Sequence, residues 1–323
     1  MADLVLPPQL YMPRKSFEFG AQVISQSSIE ELTNAFLSPI DMQQLTEKQA
    51  AMERFWAREH ACYIQLGRNQ GKHYIDYLPG RAYTYDLLME LVLRICGSSS
   101  CEVLETGCGS ALTCSLLATI GASATGIDIS QCALNFAQDI ATEFGVQINT
   151  IRTDWLKLPF LPNTFDVVFS LGALEHYPLE LQQAMLSELA RVSRQWIIIL
   201  VPNVKSPIYL TMEEREFATM PLELVYPDEN YLYAVNLAEL AQNSGLFVIE
   251  SSALHIVPPH VIPERCLTSE AYDFFCRIVQ QAQSNWNGHV RATWQTVETA
   301  LSMEERGRFG WFSYVVCQKT YTT

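Results

Sequence analysis

Residues 102–130 read EVLETGCGSALTCSLLATIGASATGIDIS. An apolar strand reaches the acid Glu105 and turns at once through Gly107-Cys108-Gly109. An apolar helical stretch follows, and a second apolar strand ends on another acid, Asp128, 23 residues after the first. Glycines at a strand end let the chain turn without a Cβ and bring backbone N–H groups close to a ligand at the head of the next helix. A carboxylate ending the second strand is placed to accept hydrogen bonds from ribose hydroxyls. The stretch predicts a nucleoside site at the ends of two neighbouring parallel strands.

Working outward, apolar strands alternate with amphipathic helices. Strands are expected at 101–105, 123–128, 147–152, 165–170 and 196–201, with helices at 84–96, 110–120, 131–144 and 179–193. Gly121 and Gly145 stand where helices 110–120 and 131–144 should stop. Near-continuous apolar strands joined through helices signal a mostly parallel sheet covered on both faces. A helix at 236–243 and strands at 246–250 and 311–318 complete the pattern, giving an α/β, Rossmann-like, seven-stranded sheet. Residues 1–83 read as a helical N-terminal cap or lid, with helices from Ser28 and from Thr46. The aromatic stretch from Cys62 to Tyr85 reads as a loop covering the ligand. The core is expected over 84–255 plus 310–323, and residues 256–309 form a helical insertion that contributes to the acceptor pocket.

Hydrophobic residues at 49% and charged ones at 17% place the chain among globular proteins rather than disordered ones. The formal net charge of −14 repels nucleic-acid phosphates, and the densest basic cluster, Arg54 to Arg81, is interleaved with Glu59 and Asp76, so no nucleic-acid partner is expected. The longest strongly apolar run, Trp196 to Val201, is far shorter than the roughly 20 residues a bilayer span needs. Three prolines interrupt residues 1–15 where a secretory leader would be apolar, so a cytoplasmic protein is expected. The nine cysteines show no CxxC pair, and Cys108, between two glycines, reads as packing. His255 and His260 flank Pro258-Pro259 without further donors, so no metal is expected; they are candidates to line an acceptor pocket.

Two details decide which nucleoside the site would take. The dinucleotide fingerprint G-x-G-x-x-G fails here, because Gly107-Cys108-Gly109-Ser110-Ala111-Leu112 lacks the third glycine. Glu105 also places a carboxylate where a pyrophosphate would sit, which a cationic, phosphate-free cofactor tolerates.

With Glu105-Thr-Gly107-Cys-Gly109-Ser-Ala111, Gly126-Ile-Asp128-Ile-Ser130, Asp154-Trp155, Phe165-to-Ser170, Leu174-to-Tyr177 and Asn243-Ser-Gly245 in this order, the chain resembles the class I S-adenosylmethionine-dependent methyltransferases over about residues 84–250 plus the last strand. The resemblance implies S-adenosyl-L-methionine as cofactor, with S-adenosyl-L-homocysteine as product. It implies that Glu105 and the backbone of Gly107, Cys108 and Gly109 meet the cofactor's amino-acid portion. Asp128, with Ile129, would hold the ribose. Asp154 would hold the adenine amino group, Trp155 would pack beside the ring, and Ser170, ending the fourth strand, counts with the cofactor-binding residues. Ala111 stands in place of the family's last glycine.

Transfer from an activated sulfonium requires mainly in-line alignment, and a hydroxyl acceptor also benefits from a base. His176 is the candidate base, and Tyr177 and Glu175 share its loop. Arg81 is a candidate partner for the cofactor carboxylate, with Tyr77 and Tyr83 beside it. The expected activity is methylation of an O or N nucleophile on a small molecule of natural-product type, by a monomer or homodimer. A nicotinamide oxidoreductase, a non-catalytic S-adenosylmethionine-binding protein and a protein methyltransferase are the alternatives.

Overall fold

The computed structural model describes residues 3–12, 26–77, 79–97, 100–215, 235–258, 260–262, 264 and 268–319, with 26, 79–82 and 212–215 described in backbone alone. Seven strands form the main sheet: β1 (Glu102–Thr106), β2 (Ser123–Asp128), β3 (Asn149–Arg152), β4 (Phe165–Leu171), β5 (Ser193–Pro202), β6 (Leu246–Leu254) and β7 (Phe312–Lys319). Their order is β3-β2-β1-β4-β5-β7-β6, and β7 alone runs opposite to the other six strands. The chain steps outward from β1 to β3 and then crosses back to β4. This reversal opens a crevice at the C-terminal ends of β1 and β4, where open α/β sheets bind ligands.

The central strands are buried on both faces, as Val103, Leu104, Val167, Val168, Phe169 and Ile197 to Val201 show. Helices cover both faces of the sheet: α3 (Pro79–Cys96), α4 (Leu112–Thr119), α5 (Gln131–Glu143), α6 (Leu179–Val192) and α7 (Leu237–Asn243). Ahead of them lie α1 (Gln26–Leu37) and α2 (Glu47–Leu66). α2 starts from a capping box in which the Thr46 hydroxyl accepts the Gln49 N–H and the Gln49 side chain accepts the Thr46 N–H. Before β7 come α8 (Ser269–Ser284), α9 (Val290–Ala300) and α10 (Met303–Phe309).

The fold and its elements follow the sequence expectation, with one clear departure. Among the described residues from Cys62 to Tyr85, the stretch packs its aromatic side chains inward and is not a covering loop, although Arg68 to Gly71 are exposed. α2 continues to Leu66, α3 begins at Pro79, and Tyr63, Tyr74, Tyr77 and Tyr83 are all buried. Two tyrosines in this stretch, Tyr63 and Tyr83, bury their rings and give their polar ends to carboxylates. The Tyr63 hydroxyl donates to Glu143, and that of Tyr83 donates to Glu298 at 2.6 Å. A composition that looks loop-like is therefore compatible with a packed interior.

The start of the chain joins the insertion. Leu4–Val5 pairs antiparallel with Val261–Ile262, and Leu6, Leu10 and Met12 share a buried cluster with Phe275 and Trp294. The Trp294 indole donates to the Leu10 carbonyl at 2.8 Å.

Candidate active site

The glycine turn follows β1 with Gly107 at φ 64° and Gly109 at φ 51°, the left-handed region that glycine enters without strain. Both glycines also meet close neighbours. A Cβ on Gly107 would stand 2.7 Å from Ala173 Cβ and 3.0 Å from the Trp155 ring, and one on Gly109 would overlap the ring of Trp56. Ala111 heads α4 with φ 47° and ψ 37°, so a residue with a Cβ holds the conformation a glycine would adopt freely. The Cys108 N–H donates to Ile127 O at 2.9 Å, tying the turn to β2. The Cys108 thiol lies over Gly126, where an added Cβ would come within 2.9 Å of Sγ, and burial pushes its pKa up. Packing thus accounts for the Cys108 side chain.

Two buried acids flank this turn. Glu105 Oε2 accepts the Cys114 N–H at 3.3 Å, at the head of α4. Asp128 Oδ2 accepts the Gly109 N–H at 3.0 Å, and its Oδ1 accepts the Ser130 N–H at 2.9 Å. Burial raises Glu105 to a pKa of about 7, with the charge of Asp128 adding to the rise and hydrogen bonds from α4 opposing it. Burial likewise raises Asp128 to about 6, against the Ser130 and Gly109 N–H groups and with Glu53 adding to the rise. Neither acid pairs with a cation among the described residues. Two buried carboxylates with no countercharge among the described residues suit a ligand that brings a positive group and hydroxyl donors, and they repel a phosphate.

The other expected residues are placed as follows. Asp154 is exposed, its Oδ1 accepting the Leu156 N–H at 2.9 Å, and Trp155 is buried with its ring beside Gly107. Ile129 O accepts from Arg152 Nε at 2.9 Å. The Ser170 hydroxyl is committed to Thr106 O at 3.1 Å, stitching β4 to β1 at the crevice. Glu175 is buried, while His176 and Tyr177 are half-buried on the short turn after β4, with the Tyr177 ring 6.4 Å from that of Trp155. Arg81 lies in α3, and its side chain is outside the described residues. Tyr77 and Tyr83 belong to the interior. His255 is buried at the end of β6 with Nδ1 2.5 Å from Thr84 Oγ1, and His260 lies with its ring 4.4 Å from that of Tyr11. No cluster of His, Cys, Asp and Glu suited to a metal occurs among the described residues.

Sequence reasoning missed three residues of α2. Lys48 Nζ donates to the His176 carbonyl at 2.9 Å and stands 4.3 Å from the centre of the Tyr177 ring. Glu53 is fully buried at the head of α5, and Trp56 covers Gly109. Within α2 they look like ordinary amphipathic-helix residues, and the only local hint is the acidity of Glu53 at a position the packing buries.

Residues 103–195, from β1 into β5, match the family model described as a methyltransferase domain. Over this segment, which is less than half of the chain, the protein is similar to that domain. The chain is similar to a ubiquinone biosynthesis O-methyltransferase of Colwellia psychrerythraea, 28% identical over 160 residues, covering 49% of this chain and 65% of the relative. A protein of the same name from Albidiferax ferrireducens is 35% identical over 95 residues, covering 28% of this chain and 37% of the relative. The match therefore spans less than two thirds of each relative's own length. Among solved structures, a magnesium protoporphyrin IX methyltransferase from Synechocystis PCC 6803 with bound S-adenosylmethionine is 16% identical, with a TM-score of 0.49, covering 86% of this chain and 99% of that one. No helix of the described residues is long and apolar enough to cross a membrane.

Proposed function

We propose that the protein transfers a methyl group from S-adenosyl-L-methionine to an oxygen or nitrogen of a small molecule. The observation that carries this reading is the pair Glu105 and Asp128, buried on either side of the Gly107–Gly109 turn with no cationic partner among the described residues. S-adenosylmethionine, when bound, supplies a methyl group already activated on a positively charged sulfur.

On this reading Glu105 and the backbone of Gly107, Cys108 and Gly109 receive the cofactor's amino-acid end, and the glycines keep that wall free of side chains. Asp128 and the neighbouring Ile129 hold the ribose. Asp154 and Trp155 take the adenine, with Trp155 fixed by burial. Ser170 holds the ends of β1 and β4 together. Arg81 pairs with the cofactor carboxylate. His176 and Tyr177 sit on the turn that faces the acceptor, where His176 takes the proton of a hydroxyl acceptor and Lys48 holds the turn in place through the His176 carbonyl.

The division into cap (1–83), core (84–255 with 310–323) and insertion (256–309) supports an enclosed acceptor pocket that excludes water during transfer. The net charge of −14 favours a small acceptor over a nucleic acid. On the same reading the protein acts in the cytoplasm as a monomer or homodimer.

The test is titration with S-adenosylhomocysteine, followed by incubation with methyl-labelled S-adenosylmethionine and a panel of phenols, carboxylic acids and amines. Binding and labelled small-molecule product are expected. Heat release with NADH and none with S-adenosylhomocysteine would sink the reading, and label found only in polypeptide would replace it with a protein methyltransferase.

A further inference from the structure

Asp128 is held from two sides, and both supports lead to the same N-terminal helix. On one side its Oδ1 accepts the Ser130 N–H, and the Ser130 hydroxyl donates to Glu53 Oε2 at 2.7 Å. Glu53 Oε2 also accepts the Cys132 N–H at 2.9 Å, and Oε1 accepts the Gln131 N–H at 2.9 Å. Arg152, the residue in register with Asp128 on β3, reaches Glu53 Oε1 at 3.1 Å. On the other side Asp128 Oδ2 accepts the N–H of Gly109, which is the glycine covered by Trp56. Glu53 and Trp56 are three residues apart and share one face of α2.

The head of α5 is therefore not open to a ligand. Helix N-termini attract anions, and this one is filled by a carboxylate of the protein itself. Burying that carboxylate is unfavourable unless all its lone pairs are used, and here four donors reach its two oxygens. Such an arrangement forms only when α2 is docked. With α2 displaced, the N–H groups of Gln131 and Cys132 and the Ser130 hydroxyl lose their acceptor, and the turn that orients Asp128 loses its brace.

We propose that Glu53 is a positioning residue: by bracing the Ser130–Cys132 turn it sets Asp128 for the cofactor's ribose and couples docking of α2 to cofactor binding. The proposal rests on the methyltransferase reading above. It assigns the N-terminal helix a part in cofactor affinity, in addition to covering the site.

The experiment compares wild type with Glu53→Gln by calorimetric titration of S-adenosylhomocysteine between pH 5 and 8. A glutamine keeps one acceptor oxygen and turns an NH2 toward two donors, so S-adenosylhomocysteine affinity is expected to fall by about tenfold. The pH profile reads out the role specifically. Asp128 faces Glu53 from α2, Glu105 from β1 and Cys108 from the glycine turn, while Arg152, its neighbour in register on β3, is paired with Glu53. Removing the Glu53 charge is expected to move the midpoint of the affinity profile to lower pH, a change that simple loosening of the fold does not produce. Affinity within twofold of wild type with an unmoved midpoint overturns the proposal. Where Glu53→Gln does not fold, hydrogen exchange on the wild type decides: S-adenosylhomocysteine is expected to slow residues 129–133 and 50–58 together, and protection confined to 129–133 overturns the coupling. A wild type that binds no S-adenosylhomocysteine overturns the methyltransferase reading itself, whereas equal binding by wild type and Glu53→Gln overturns only the role of Glu53.

Discussion

Asp128 and Gly109 are joined by a 3.0 Å hydrogen bond in which the glycine turn donates its N–H to the acid that ends β2. One group thus shapes the turn and faces the crevice, so changing it disturbs both. Asp128→Asn keeps the size of the side chain, removes the charge, and sets an amide NH2 against either the Gly109 or the Ser130 donor. Charge-assisted hydrogen bonds of this kind contribute about 1.5–3 kcal/mol, so S-adenosylhomocysteine binding is expected to weaken by roughly ten- to a hundredfold. Calorimetric titration alongside a circular dichroism spectrum checks it, and undiminished affinity in a folded variant would remove Asp128 from the site.

The pH dependence follows from the same acids. Glu105 is raised to about 7 and Asp128 to about 6 from their ordinary values of 4.5 and 3.8. The folded state therefore binds more protons than the unfolded one in that range. Their contribution to stability is fully present below about pH 4 and is lost as pH rises through 6 to 7. His60 acts in the opposite sense. Stacked between Phe36 and Phe136 and bonded to Asp139 at 3.0 Å, it is lowered by burial to about 4, so its contribution grows as pH rises from 4 to 6.5. The ammonium group and the ribose hydroxyls of S-adenosylhomocysteine are held more strongly by the ionised than by the protonated acids. Thermal shift by S-adenosylhomocysteine is accordingly expected to increase from pH 5.5 to pH 8, and a shift that shrinks over that range would contradict the assignment of these acids.

The α/β alternation was legible because strand and helix periods are strong local signals, and the sites of the glycine turn, Glu105 and Asp128 come from one continuous stretch. The wall opposite was not. Trp56 meets Gly109, Glu53 meets Ser130 and Lys48 meets His176 across separations of 53, 77 and 128 residues, and nothing in the periodicity of α2 marks which of its residues touch the core. The Tyr-rich stretch after Cys62 was misread for a related reason. The Tyr63 and Tyr83 hydroxyls find acids distant in sequence, the half-buried Glu143 and the buried Glu298, so a polar aromatic segment is satisfied inside the protein. Gly126 shows the same limit at a smaller scale: its lack of a side chain makes room for Cys108, a contact visible only once β1 and β2 are adjacent.

The contact between Trp56 and Gly109 gives a test by double-mutant cycle. In Gly109→Ala the new methyl meets the indole and the φ of 51° strains the alanine, so a loss of about 2–4 kcal/mol is expected. In a Trp56→Ala background the clash is gone and only the backbone strain remains. The same glycine change should then cost about 1–2 kcal/mol, with the difference appearing as the coupling between the two residues. Denaturant unfolding of the four proteins measures it, and strictly additive losses would show that the indole does not cover the glycine in solution.

The insertion is fastened to the core by Glu298, and the order of effects at this site can be worked out from its bonds. The buried carboxylate accepts the Tyr83 hydroxyl at 2.6 Å, the His255 N–H at 2.7 Å and the Ile256 N–H at 3.2 Å, and it holds His255 at a φ of 70° that a residue with a Cβ rarely adopts. Tyr83→Phe removes one donor and leaves the carboxylate with two backbone partners, for an expected loss of about 1–2 kcal/mol. Glu298→Ala leaves two backbone N–H groups and a tyrosine hydroxyl buried without an acceptor and opens a cavity, so about 3–5 kcal/mol is expected. Because α9 carries Glu298, the larger loss should also speed amide exchange in residues 290–300 more than in β1 or β4. Equal destabilisation by the two substitutions, or exchange that rises uniformly across the sheet, would show that Glu298 does not fasten the insertion.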